Sequence, residues 1–222
     1  MKIYAANTAL VRTGTEEKLL AMLDEARREQ IGRFKRVQDR ERGICAGLLL
    51  RHSFLEQGYT EDEWKQIRVI RGTYGKPMLG NYPDFHYSLS HSGDWVVCAV
   101  DMAPLGVDIQ MMENTKLTLA KRFYHPEEYQ RLIKIKEQEL QKKEFYTMWT
   151  AKESYVKLTG RGIGEGINQY ITEHTYQHMQ DEAGVWLADI KIYETIADYI
   201  VCVCTREKTK AGQLEIVSGI QG

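Results

Sequence analysis

The sequence predicts an α+β protein on three observations: closely spaced strand-like runs between residues 67 and 109, helical apolar periodicity over 116–159, and a strong strand pair within 185–205. Each half of the chain thus carries helix and mainly antiparallel strand in comparable length. No internal repeat, low-complexity tract or Pro/Gly linker marks a join, and the change in character sets the boundary near residue 105, giving halves 1–105 and 106–222. A length of 222 residues accommodates two domains of roughly 100 residues each.

Residues 2–11 read as an opening strand. Thr13 and Glu16 stand at capping-box spacing before an amphipathic helix with Leu19, Leu20 and Leu23. A second helix runs from about Asp39 to Gln57 and stops at Gly58. The strand runs are 67–70, 85–89, 95–100 and 106–109, and Phe85, Tyr87 and Leu89 alternate with the period of a half-buried strand. Helical patterns cover 116–136 and 138–159, broken near His125 and Pro126, where proline suits a first helical turn. Strands at 185–193 and 198–205 flank residues 194–197 as a hairpin.

Lys+Arg 30 against Asp+Glu 31 leaves a net charge of −1, which excludes a nucleic-acid coat or a polybasic membrane binder. Locally the balance differs: stretch 27–42 holds seven basic and three acidic residues, a run that reads as a solvated helix face or a phosphate-binding edge. The apolar stretch before Arg12 is too short for a signal peptide, and no run approaches the ~20 residues that span a bilayer, so the expected location is the cytosol. Cys45, Cys98, Cys202 and Cys204 are too few and too scattered for a disulfide framework, and read as buried, reduced side chains.

Four segments carry candidate chemistry. Gly106-Val107-Asp108-Ile109-Gln110 sets an acid inside an apolar strand, with Gln110 on the same face; such a carboxylate caps a backbone N–H or meets a divalent cation. In Trp149-Thr150-Ala151-Lys152-Glu153-Ser154-Tyr155-Val156-Lys157, Glu153 and Lys157 are helical i, i+4 neighbours and share their face with Trp149. This is a surface ion pair or one wall of a phosphate–metal site. Ser88-Leu89-Ser90-His91-Ser92-Gly93-Asp94 presents small polar groups and one imidazole to an anion, and lacks the Gly-x-Ser-x-Gly elbow of serine hydrolases. Gly75-Lys76-Pro77 is a turn with a cation, while Gly160, Gly162, Gly164 and Gly166 follow a helix and read as its termination.

Taken together and in this order, these segments resemble the surfactin-synthetase-activating type of 4′-phosphopantetheinyl transferase. The resemblance covers nearly the whole chain, through Tyr74-Gly75-Lys76-Pro77, Phe85-His86-Tyr87-Ser88-Leu89-Ser90-His91-Ser92-Gly93, the segment around Asp108, Lys121-Arg122-Phe123-Tyr124, and the segment from Trp149 to Lys157. It implies a pseudo-twofold monomer of two similar α+β halves, with coenzyme A in the cleft between them. It also implies Mg²⁺-dependent transfer of phosphopantetheine to a serine of an acyl or peptidyl carrier protein, with Mn²⁺ as a substitute ion and adenosine 3′,5′-bisphosphate released.

By the same resemblance, Asp108 and Glu153 are metal carboxylates, Lys157 lies near the pyrophosphate and Lys152 is a cleft lysine. Lys76, Ser90 and His91 hold the nucleotide and its phosphates, Arg42 lies near the adenine and 3′-phosphate, and Arg27 falls where a lysine often meets the 3′-phosphate. Glu153 is the available base for the serine proton, directly or through a water on the metal. Many relatives carry a glutamate where this chain has Gln110, whose amide can ligate the ion or hold one of its waters. The stretch 111–124, with Met, Leu and basic residues, suits an amphipathic, acidic carrier helix; Leu117 and Phe123 fit core packing equally well. Two other readings are a catalytically silent coenzyme A-binding regulatory protein and a metal-dependent phosphodiesterase, which needs a water nucleophile and more ligands than Asp108 and Glu153 supply.

Overall fold

The computed structural model describes residues 1–162, 166–207 and 211–219. The chain forms two units, Met1–Ala103 joined by the last segment from Ala211, and Pro104–Lys210.

In the first unit, β1 (Lys2–Asn7) is shorter than the strand expected over 2–11. Asn7 accepts a hydrogen bond from Ala9 N and turns the chain into a 3-10 helix, Thr8–Thr13. The expected capping box is replaced as well: Thr13 Oγ1 donates to Leu10 O at 2.8 Å, and α1 (Glu16–Ala21) follows Thr15 with no side-chain cap. α2 (Glu25–Gly32) begins where Asp24 accepts from Arg27 N. α3 (Val37–Leu55) is the long helix of this unit, and α4 (Glu61–Trp64) is closed by a Thr60–Glu63 capping box. β2 (Val69–Arg71) and β3 (Pro77–Leu79) form a separate hairpin. β4 (His86–Ser92) and β5 (Trp95–Asp101) pair antiparallel, β1 joins β5, and α3 lies across them. Leu48, Leu49 and Phe54 of the helix pack with Tyr4, Phe85 and Cys98 as the core.

The second unit repeats the plan of one long helix on an antiparallel sheet. β6 (Leu105–Met111) precedes α5 (Leu117–Phe123), α6 (Pro126–Lys134) and α7 (Gln138–Thr159). Pro126 sits in the first turn of α6, and α7 ends on Gly160 at φ 74°. Gly162 and Gly166 also have positive φ, consistent with termination, while Gly164 lies outside the described residues. A 3-10 turn, Ile167–Gln169, leads to β7 (Ile171–Thr172), β8 (His178–Gln180), β9 (Trp186–Tyr193) and β10 (Tyr199–Thr205). The sheet order is β6-β10-β9-β8-β7. β11 (Leu214–Ile216) pairs parallel with β1, so the first sheet runs β11-β1-β5-β4. The expected second half, 106–222, therefore ends too late: the last strand belongs with the first unit because its backbone partner is there. Among the described residues no helix is long and apolar enough to cross a membrane.

In the second unit α7 packs tightly on β6 at Gly106. A Cβ on Gly106 would lie 2.0 Å from Ser154 O and 2.5 Å from Leu158 N, both backbone atoms that cannot swing aside. Gly106→Ala should therefore cost about 3 kcal/mol, read as a lower denaturant midpoint. Gly32→Ala, at the end of α2 with nothing within 4 Å, should be neutral or stabilising by up to about 1 kcal/mol.

Candidate active site

Alternate residues of a strand share a face, so Gly106, Asp108 and Gln110 all lie on the side of β6 that α7 covers. The register puts Asp108 opposite Cys202 of β10, and Ser154 Oγ of α7 donates to Cys202 Sγ at 3.3 Å. One turn further along the helix, Lys157 Nζ stands 2.7 Å from Asp108 Oδ1. Gln110 Nε2 donates to the other oxygen, Asp108 Oδ2, at 2.9 Å. Asp108 is 2% and Glu153 8% exposed, so both carboxyls have lost most of their water. Burial first, and then the charge of Asp108, pushes the Glu153 carboxyl up to about 7, while Lys157 pulls it down. Asp108, Gln110, Glu153 and Lys157 thus form one cluster within this unit.

Lys152 departs from its expected place. It is fully buried beside Glu128, with Nζ 2.8 Å from Glu128 Oε2, and it also donates to Ile167 O at 3.2 Å and to Tyr170 O. Glu128 accepts from His125 N at 2.9 Å and Thr172 N at 2.7 Å. One ion pair therefore pins the start of α6, the middle of α7 and the approach to β7. The reason is rotational: consecutive helical residues differ by about 100°, so Lys152 points into the core while Glu153 faces β6. Burial lowers the Lys152 pKa, and Glu128 works against that shift.

In the first unit, Arg42 Nε donates to Gly93 O at 2.8 Å, which ties α3 to the β4–β5 turn just beyond Ser90 and His91. Ser90 is buried and His91 exposed. Lys76 sits in the β2–β3 turn close enough to His86, at the start of β4, to help lower the imidazole pKa after burial. Arg27 lays its stem against Gly47 of α3 and donates to Gln30 Oε1 at 3.3 Å. Three of the seven cations in 27–42 are paired: Arg33 with Glu29, Arg40 with Glu16 and Arg42 with Asp39. Among the described residues Arg27, Arg28, Lys35 and Arg36 have no ion-pair partner.

Residues 104–204 match the 4′-phosphopantetheinyl transferase superfamily, and residues 14–103 match the family described as 4′-phosphopantetheinyl transferase, N-terminal. The chain is 31% identical over 225 residues to 4′-phosphopantetheinyl transferase Sfp of Bacillus subtilis (strain 168), covering 98% of each. It belongs to the 4′-phosphopantetheinyl transferases. Transferase psf-1 of Bacillus pumilus is 34% identical, with 91% of this chain and 87% of that one covered. The human L-aminoadipate-semialdehyde dehydrogenase-phosphopantetheinyl transferase is 29% identical over 67% of this chain and 52% of its own. The enzyme is thus of the surfactin-synthetase-activating type, with the two-domain fold of this family, and acts in transferring phosphopantetheine to carrier proteins.

In this transferase, sequence reasoning missed Glu128 and misplaced Lys152. A signal for both was present. Lys152 falls four residues after Met148 and three before Tyr155, both buried, so it lies on the apolar stripe of α7. Glu128 stands three residues after His125, whose N–H it caps. Lys152→Met should cost about 3–5 kcal/mol in denaturant unfolding by stranding a buried carboxylate, and Lys152→Met with Glu128→Gln should recover over half of it. A loss of coenzyme A affinity at unchanged stability would instead put Lys152 on the ligand.

Proposed function

We propose that the enzyme takes its phosphopantetheine from coenzyme A and transfers it to a serine hydroxyl of an acyl or peptidyl carrier protein. The serine oxygen bonds to the phosphorus bearing pantetheine as the phosphoanhydride breaks, and adenosine 3′,5′-bisphosphate leaves. The observation that carries this reading is the meeting of Asp108, Glu153 and Lys157 where β6 runs under α7.

The donor set fits a hard divalent cation. Two desolvated carboxyls of like charge, offset by one ammonium, suit Mg²⁺ or Mn²⁺, and Mg²⁺ commonly takes one or two carboxylates with substrate phosphates and water. Among the described residues no group of three or more His, Cys, Asp and Glu side chains is placed to hold a metal. Asp108 and Glu153 would hold the ion, with Gln110 beside them. Bound there, it supplies the positive charge that phosphoryl transfer demands of a site.

Glu153 takes the serine proton, directly or through a water, as the available carboxylate base beside Asp108 and Lys157. Lys157 receives charge building on the leaving phosphate. Lys76, Ser90 and His91 hold the nucleotide and its phosphates, Arg42 the adenine end, and Arg27 the 3′-phosphate. The carrier docks on α5, where Lys116, Lys121 and Arg122 are exposed while Leu117 and Phe123 turn toward the core. That surface is basic, and an acidic helix complements it. A silent coenzyme A-binding protein has no use for a base beside Asp108.

Incubation with coenzyme A, Mg²⁺ and an apo-carrier should give a serine-linked phosphopantetheine mass shift. Glu153→Gln should lower kcat by about 100-fold or more with coenzyme A affinity near wild type; retention of most activity would remove Glu153 as base. Free phosphopantetheine with unmodified carrier would point to the phosphodiesterase.

Gln110→Glu adds a third carboxylate and should lower the Mg²⁺ concentration needed for half-maximal rate. An unchanged metal titration would mean that this side chain does not face the ion.

A further inference from the structure

Both oxygens of Asp108 are engaged by this chain's own side chains, Oδ1 by the Lys157 ammonium at 2.7 Å and Oδ2 by the Gln110 amide at 2.9 Å. The two partners are not equivalent. Gln110 shares a strand face with Asp108, so it fixes how the carboxylate is turned. Lys157 reaches across from the last turns of α7 on a flexible four-carbon stem, with its side chain 29% exposed. It can move away without disturbing the helix.

We infer that Lys157 is the resident counter-ion of Asp108, and that a divalent cation binds by displacing its ammonium from Oδ1. This rests on the metal reading given above. A desolvated carboxylate is costly to leave without a partner; the ammonium fills that place until a doubly charged ion takes it. Loading then does two things at one position. The carboxylate pair acquires its metal, and an ammonium that had been neutralised is released toward incoming phosphate. Breaking the Asp108–Lys157 pair is subtracted from the intrinsic metal affinity, so the lysine that helps turnover also weakens metal binding in the absence of coenzyme A. Gln110 keeps the carboxylate aimed while its cation changes.

The test is direct binding of Mn²⁺ by electron paramagnetic resonance to the full chain, without coenzyme A or carrier. Lys157→Met should bind Mn²⁺ with a Kd about tenfold lower than the wild type, about 1.4 kcal/mol, while its transfer rate falls. Lys157→Arg, which keeps a cation beside Asp108, should stay near the wild-type Kd. Should Lys157→Met fail to fold, Lys157→Gln gives the same comparison. Equal or weaker Mn²⁺ binding by the folded neutral variants overturns the inference. Asp108→Asn separates it from the reading beneath it. If that variant abolishes Mn²⁺ binding while Lys157→Met leaves it unchanged, only the counter-ion role falls. If Asp108→Asn and Glu153→Gln both bind Mn²⁺ as the wild type does, the ion is not at these carboxylates and both readings fall.

Discussion

The backbone of α7 rests directly on β6 at Gly106, and the chemistry of the second unit depends on that contact. A strand and a helix ordinarily stand apart by the thickness of their side chains. Here one residue without a side chain brings the strand against Ser154 O and Leu158 N. The next residue on the same strand face, Asp108, then falls beside Lys157 at salt-bridge distance and within the field of Glu153. Glycine costs a strand some conformational entropy. That cost is offset by the short reach it creates, which sets Asp108 close enough to α7 for its charge to act on the buried Glu153 carboxyl.

The same helix divides its charges by face. Lys152 and Glu153 are consecutive, yet one is locked in a buried, fully hydrogen-bonded pair and the other stands at the site. A buried ion pair adds little net stability compared with apolar packing. Its value here is directional. An apolar side chain at 152 could rotate or slide; an ammonium shared among Glu128, Ile167 O and Tyr170 O fixes the helix about its own axis and along it. That fixed rotation points Glu153 at β6. The direction in which Glu153 points is therefore set by a pair buried on another face of the same helix.

How much was legible follows from length and locality. The long elements announced themselves by period: α3 and α7 by their apolar stripes, β4 by Tyr87 and Leu89, and β9 with β10 by two strong runs around a short turn. β3, β7 and β8 have two or three residues, too few for any period to show. α2 buries Ile31 alone among its eight residues, so its pattern resembles solvated coil. The placement of β11 depends on a strand two hundred residues earlier and leaves no local trace. Strand and helix periods placed Asp108 with Gln110 and Glu153 with Lys157 on shared faces, but each segment alone reads equally well as a capping acid or a surface ion pair. The pairing of Lys157 with Asp108 across α7 and β6 leaves no local trace. Lys152 was misread because its neighbour in sequence, Glu153, faces β6. Its neighbours on the helix surface, Met148 and Tyr155, are core.

Charge follows the same logic of pairing. A net of −1 conceals a positive stretch at 27–42, and folding pairs three of its seven cations with carboxylates. Arg33, Arg40 and Arg42 acquire carboxylates, leaving Arg27, Arg28, Lys35 and Arg36, among the described residues, as the cations of this run without an ionic partner. Such pairs at a surface add little stability. What they do is limit where a phosphate finds an unspent positive charge. In the second unit, Lys157 is likewise spent on Asp108 in this structure. Positive charge for an anionic substrate is therefore a property of state as well as sequence: a cation that neutralises a carboxylate becomes useful to a phosphate once something more strongly charged has taken its place.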